Sequence, residues 1–344
     1  MTRGRGSNRV ASAPRRAVDD ATPRIDITLG DVQAARDRIA GHARRTPIER
    51  SIWLSERLGV DVYLKLECWQ PTRSFKVRGA LNAVAAMDAA SRERGLVTAS
   101  AGNHGQAIAL AARAFGASAR IFVPRDAPEP KRARIRSLGA ELDEAARDYD
   151  EAEDAARLFA ERTDRTFVHG FSDPAVVAGQ GTIGLEVAEA LPDVREVVVP
   201  VGGGGLAAGV GVALAATAPH ARLIGVQSEK TPAMYEAFRA GRVVGVPVVP
   251  TWADGLAGRT DESAYLRARR LLADLRLVGE AAIADAIVGL YSHDGVVAEG
   301  SAAVTAAAVL TLDLGLSGPT VLVISGGNIE GARLGRLLVD GGWR

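Results

Sequence analysis

The sequence predicts an α/β fold with two doubly wound open sheets, and three observations carry that expectation. From about Leu96 onward, short apolar runs of strand length alternate with segments of helical period, the pattern of βαβ units on parallel sheets. Glycine- and serine-rich loops begin at Ser100, Gly202 and Ser325, each just after a predicted strand, where open α/β sheets keep their ligands. With 344 residues and 47% hydrophobic content, the chain can bury the core of two domains or one large one.

Taken in order, Val32, Ala35 and Ile39 recur at helical spacing and predict a helix over 31–42, with Asp31 as its N-cap and Thr46-Pro47 ending the run. A strand over 62–66 leads into Ser74-Phe75-Lys76-Val77-Arg78-Gly79-Ala80, an apolar, helix-forming stretch that starts on a lysine. Strands over 96–99, 119–123, 141–143 and 166–169 then alternate with helices over 105–115, 129–138 and 150–162. The alternation continues through a helix over 176–191, a strand over 196–200, a helix from Leu206 and a strand over 222–227. Helices over 264–275, 283–292 and 300–312, a strand over 320–324 and a terminal helix from Glu330 complete it. Residues 1–22, rich in Arg, Ser, Ala and Pro without apolar periodicity, read as a disordered basic arm. No internal repeat is present, and periodicity alone does not fix a domain boundary.

Composition excludes several classes of partner. Lys plus Arg number 42 and Asp plus Glu 41, a formal net charge of +1, which makes no electrostatic case for nucleic acid or an anionic membrane. A small molecule is the expected partner. Cys68 is the single cysteine, so an internal disulfide or a cysteine-based metal cluster is impossible, and a reducing compartment, the cytoplasm, is expected. No apolar run approaches bilayer length, and Arg15-Arg16 leads into Val18-Asp19-Asp20 rather than an apolar secretion core. The expectation is a protein neither exported nor anchored.

Four motifs carry chemistry. The chain has four lysines, Lys65, Lys76, Lys131 and Lys230. A desolvated lysine amine can attack a carbonyl and hold it as a Schiff base. Lys131, in the basic run Lys131-Arg132-Ala133-Arg134, reads as a solvated helix face; Lys65 lies in an alternating strand and Lys230 at a strand end, which leaves Lys76. Gly202, Gly203, Gly204 and Gly205 run from a buried strand into Leu206 and an apolar helix; backbone N–H groups freed of Cβ can converge there on a phosphate. Gly203-x-Gly205-x-x-Ala208 also meets the loose dinucleotide fingerprint, with Glu229 at the distance of a ribose-binding acid, so a nicotinamide-dependent oxidoreductase is the rival reading. That rival has no use for Lys76. No Gly-Lys-Ser/Thr follows the glycines, which excludes a nucleoside triphosphate loop. The loop Ser100-Ala101-Gly102-Asn103-His104-Gly105-Gln106 suits a substrate carboxylate, and Ser325-Gly326-Gly327-Asn328 follows the last predicted strand. Together these loops call for a ligand with one phosphate and one aldehyde, which is pyridoxal 5′-phosphate (PLP).

In this order, and with Ala178-Gly179-Gln180-Gly181-Thr182 between them, the motifs resemble those of the fold type II PLP enzymes, and within them the threonine/serine dehydratase and serine racemase group. The resemblance runs from about residue 28 to the end. It implies a tryptophan synthase β-like arrangement, with 23–80 and 170–344 in a large domain, 81–169 in a small one and the cofactor in the cleft. It further implies that Lys76 forms the imine with PLP, Phe75 packs by the ring and Asn103 hydrogen-bonds the ring hydroxyl. Gly202, Gly203, Gly204, Gly205 and Leu206 would bind the phosphate, Ser325 the pyridine nitrogen, and Ser100 and His104 the substrate carboxylate. The implied activity is that of an L-threonine/L-serine ammonia-lyase giving 2-oxobutanoate or pyruvate plus ammonia, with serine racemase or another β-hydroxy amino acid dehydratase as alternatives. A homo-oligomer is expected on family grounds.

The departures also carry expectations. Arg73 stands where the family has glycine, altering the approach to Lys76, and Cys68 is atypical, reading as a buried apolar thiol. Gln227 stands where cation-binding relatives carry a carboxylate, so no metal is expected. The chain ends soon after Asn328, without length for a regulatory domain, so control by isoleucine is not expected. Ala101 stands where serine racemases carry a hydroxyl; a methyl group cannot donate a proton to the second face of a carbanion, so elimination is expected over racemisation.

Overall fold

Residues 25–340 are described by the computed structural model, and the arm expected over 1–22 lies outside them. Ten strands form two sheets: β1 (Ile48–Arg50), β2 (Val62–Lys65), β3 (Leu96–Ala99), β4 (Ala119–Pro124), β5 (Glu141–Ala146), β6 (Thr166–Phe167), β7 (Glu196–Pro200), β8 (Arg222–Ser228), β9 (Asp274–Val278) and β10 (Thr320–Val323). The six-stranded sheet has the order β1-β2-β10-β7-β8-β9 and the four-stranded sheet β5-β4-β3-β6. Every pairing is parallel except that of the edge strand β1 with β2.

Side chains along a strand point alternately to opposite faces, and both faces of the larger sheet are filled. Val197, Val199, Leu223, Val321 and Val323 pack on one side against Ile183, Leu206, Val210 and Tyr265. Their neighbours Val198, Ile224, Val226 and Leu322 pack on the other, against Ile283, Ile287, Ala303 and Ala307. This is why the strands read as unbroken apolar runs. The smaller sheet repeats the scheme. Leu96, Ile121 and Val123 meet Val77, Leu81 and Ile108 on one face, while Val97, Ala99 and Phe122 meet Ala152, Ala156 and Ala160 on the other. Both sheets are therefore doubly wound, as expected, and the core of the smaller one takes in the helix Lys76–Ala86.

The helix ends follow from capping chemistry, which also corrects part of the sequence reading. The first helix is Leu29–Ile39: Thr28 is its N-cap and Asp31 its third residue, each bonding the other's backbone N–H in a capping box. Asp31 thus closes the cap rather than being it. Asp173 caps Pro174–Ala190, accepting from Ala175 N at 2.8 Å, with Pro174 in the first turn. The expected helix over 264–275 is the helix Glu262–Leu271 followed by β9. Leu275 and Val278 turn inward there, in a strand paired on one side to β8. Strand β1 and the helices Ile52–Leu58, Ala89–Arg94 and Ala233–Ala240 were not expected; all are short, and β1 has only three residues to show a period. Among the described residues, no helix is long and apolar enough to cross a membrane.

The helix Pro174–Ala190 crosses Gly205–Thr217 at glycine: a Cβ on Gly209 would lie 2.3 Å from Val177 O and 2.6 Å from Gly181 N. Both obstacles are backbone. Gly209→Val should therefore cost about 3 kcal/mol of stability, read as a lowered denaturant midpoint; an unchanged midpoint would mean that the crossing is not tight.

Candidate active site

Lys76 is the first residue of its helix, and the chain before it is tied to the end of β10. Phe75 N–H donates to Ser325 O at 2.9 Å, Gly327 N–H donates to Arg73 O at 2.9 Å, and Ser74 pairs with Gly326 in a single antiparallel bridge. The turn requires positive φ at Arg73, and the arginine adopts it at +56°, a conformation that costs a side chain about 1 kcal/mol and a glycine nothing. The sequence departure thus keeps the glycine geometry under strain.

Two residues beyond Lys76, Arg78 anchors the helix in a buried cluster of four charges. Its guanidinium donates to Glu67 at 2.8 and 2.9 Å and to Glu186 at 2.7 and 2.9 Å. Lys65 Nζ reaches Glu186 and, at 2.7 Å, Thr46 O. Burial works against Arg78, but the two carboxylates hold it above its ordinary pKa; burial would raise Glu67, but Arg78 holds it below. For Lys65 burial wins, and its pKa is lowered in spite of Glu67 and Glu186. The strand lysine of the sequence reading is a fully buried ion-pair partner.

The Lys76 amine donates to Gly170 O at 2.7 Å and lies 5.3 Å from the Phe75 ring centre. Burial pushes its pKa down to about 8, the direction that makes an amine nucleophilic near neutrality. The residue after Gly170 backs the glycine loop: a Cβ on Gly203 would lie 2.5 Å from the Phe171 ring, and one on Gly205 2.6 Å from Phe171 O. Gly204 has φ +103°. Among the described residues, no acceptor meets the N–H groups of Gly202, Gly203, Gly204, Gly205 or Leu206. Five unpaired donors at the start of the helix Gly205–Thr217 fit a phosphate.

On the other side, Asn103 and His104 open the helix Asn103–Ala114, with Gly102 as N-cap. Ser100 Oγ accepts from Gly102 N at 3.1 Å. Asn103 Nδ2 donates to Glu299 Oε1 at 2.7 Å, and Asn328 Nδ2 donates to Asn103 Oδ1 at 2.7 Å. The His104 imidazole is spent elsewhere: Nε2 lies 3.2 Å from Val168 O, so it carries the proton and donates, and burial, then the Lys76 charge, pushes its pKa down to about 3. A neutral ring with a bare Nδ1 cannot donate to a carboxylate, so what His104 can offer one is its backbone N–H.

A rare, partly buried amine bonded to Gly170 O, a phosphate-sized set of free N–H donors backed by the next residue, Phe171, and an amide fit a single cofactor, and the family model described as pyridoxal-phosphate dependent enzyme matches residues 39–327. The chain belongs to that family. It is 46% identical over 317 residues to an L-threonine ammonia-lyase of Thermotoga maritima, covering 92% of this chain and 79% of the relative. Among solved structures it is similar to maize serine racemase, with TM-score 0.87 and 30% identity over 91% of this chain and 97% of that one. It is also similar to the processed form of threonine deaminase isoform 2 from Solanum lycopersicum, with TM-score 0.86 and 32% identity over 97% of each. This PLP-dependent enzyme is a fold type II α/β protein, and its glycine loop is not read as a dinucleotide site.

The other residues that the sequence singles out divide. Lys131 lies on a largely exposed helix face, as expected, and its amine makes a surface ion pair with Asp254 Oδ2 at 3.0 Å. Lys230 is exposed. Cys68 is buried, its thiol pushed up to about 12 chiefly by burial. Gln227 is buried, accepting from Tyr235 N at 2.8 Å. Sequence reasoning missed Gly170, Phe171 and Glu299, none of which sits in a glycine-rich motif. Removing one charge from the buried cluster, as in Glu186→Ala, should cost about 3–5 kcal/mol; a loss below about 1 kcal/mol in denaturant unfolding would place the cluster with surface ion pairs.

Proposed function

We propose that the protein is a PLP-dependent L-threonine/L-serine ammonia-lyase, releasing 2-oxobutanoate or pyruvate and ammonia. The observation that carries this reading is the Lys76 amine, its pKa pushed down by desolvation to about 8, bonded to Gly170 O beside the Phe171 that backs the free N–H groups of the glycine loop; the relatives named threonine ammonia-lyase support the substrate class. When bound, PLP supplies an electron sink for the pair left at the substrate Cα.

The protein residues do the rest. The N–H groups from Gly202 to Leu206 hold the phosphate, Phe75 packs by the ring, Asn103 meets the ring oxygen, and the Ser325 hydroxyl meets the pyridine nitrogen. A serine hydroxyl there brings no negative charge, which keeps the sink modest and favours loss of the β-hydroxyl over slower outcomes. Lys76, once exchanged for the substrate amine, takes the Cα proton as general base. Ser100 and the backbone N–H of His104 bind the substrate carboxylate. Departure of the β-hydroxyl as water leaves an enamine, which tautomerises and hydrolyses to the 2-oxo acid and ammonia. Ala101 has no proton to give the opposite face. The same proposal places 81–169 in a smaller domain and 23–80 with 170–344 in a larger one, requires no metal at Gln227, and has a homo-oligomer acting in the cytoplasm on a free amino acid.

Incubation with L-threonine and L-serine, following ammonia, 2-oxo acid and D-serine together, tests it. Ammonia and 2-oxo acid should form in equal amounts with little D-serine. D-serine forming as fast as pyruvate would make the protein a racemase, the reading that its likeness to maize serine racemase otherwise favours.

A further inference from the structure

One buried carboxylate takes no part in the chemistry above. Glu299, the N-cap residue of the helix Gly300–Thr311, is 8% exposed. Its oxygens accept from two separate segments: Oε1 from Asn103 Nδ2 at 2.7 Å, and Oε2 from Asn328 N at 3.0 Å. Asn328 Nδ2 donates in turn to Asn103 Oδ1 and, at 2.9 Å, to Thr72 O, while its Oδ1 accepts from Arg134 at 2.6 Å.

The direction of every bond in this chain is forced. A carbonyl only accepts and a guanidinium only donates, so the Asn328 amide cannot flip without losing Thr72 and Arg134 together. With Asn328 fixed, Asn103 Oδ1 must accept, and Asn103 Nδ2 needs an acceptor, which Glu299 supplies. The chain of donors ends on a carboxylate that accepts twice, a task for its ionised form. Asn103 keeps one Nδ2 hydrogen without a partner among the described residues, so it has an N–H to give a ligand.

We propose that Glu299 is a positioning residue, whose carboxylate fixes the Asn103 amide so that it meets the cofactor's ring oxygen as a hydrogen-bond donor. The proposal rests on reading the cleft as the PLP site. Glu299 is tuned for the task near neutrality: burial, then the Asp254 carboxylate, pushes its pKa up to about 7, against the bonds from Asn103 and Asn328 and the charge of Lys131. Asp254 is itself paired with Lys131. Arg333 and Glu330 complete the charged groups around a cavity of about 20 Å³ that borders Glu299, room for one water. Protonation puts an O–H where an acceptor is needed. One of the two bonds, to Asn103 Nδ2 or to Asn328 N, is then weakened, and the Asn103 amide is held less firmly.

The test uses the PLP-loaded wild type, Glu299→Gln and Glu299→Asp, reading the PLP dissociation constant and the absorption band of the bound cofactor across about pH 6–8, beside kcat and KM for L-threonine. A glutamine offers one acceptor and one donor, so it sets donor against donor at Asn103 or Asn328. Wild type should bind PLP more weakly as pH falls through about 7. The glutamine variant should bind about tenfold more weakly throughout and keep only the pH dependence that the Lys76 amine brings, losing the part that Glu299 adds near 7, and aspartate should restore part of both. Wild-type affinity and pH dependence in Glu299→Gln would overturn the proposal. Should that variant fail to fold, a wild type whose PLP affinity and absorption band do not change over this range would overturn it equally. A wild type that takes up no PLP sinks the reading of the site and this proposal with it; one that binds PLP, with an indifferent glutamine variant, sinks this proposal alone.

Discussion

A lysine can act on a cofactor only if the helix that carries it is held in register, and here that constraint falls on Arg78. Its planar fork binds Glu67, on the turn after β2, and Glu186, on the helix Pro174–Ala190. Lys65, on β2, reaches the same Glu186. Two positive and two negative charges balance in the interior. Desolvation offsets most of their attraction, so such a cluster adds little net stability; what it supplies is direction, because a bidentate fork accepts one orientation. The turn after β2 and the helix of Lys76 are thereby locked to the helix Pro174–Ala190, 108 residues further along at Glu186.

From that anchor the two sheets divide the work. The larger contributes Ser325 and the glycine loop from the ends of β10 and β7, and the smaller contributes Ser100 and Asn103 from the loop after β3. The helix Lys76–Ala86 belongs to both: its start is bonded to Ser325, and its body packs into the core of the smaller sheet. Elsewhere the two parts are linked by apolar contacts, with Ile39 and Val176 packed into the core of the smaller sheet, and by polar ones such as Lys131 with Asp254, Arg134 with Asn328 and Asn103 with Glu299.

Most of the fold was legible in the sequence, and so were the motifs from which the candidate site is read, for physical reasons. Strands apolar at every position declare burial on both faces, and four adjacent glycines or a lone lysine before an apolar helix are costly to keep without a use. What was illegible depends on partners far along the chain. Lys65 reads as a strand lysine until Glu186, 121 residues away, meets it. Glu299 was hidden by a common explanation, since a carboxylate ahead of an apolar helix is ordinary helix-end chemistry. Phe171 gave no signal, because its role is to fill the space that Gly203 and Gly205 leave.

The central claim is that Lys76, alone among four lysines, carries the cofactor. Borohydride reduction of the PLP-loaded protein, followed by peptide mapping, tests it most directly. The account predicts one labelled peptide, that of Lys76, and no label on the Lys76→Ala variant. Label fixed at Lys65, Lys131 or Lys230 would contradict it.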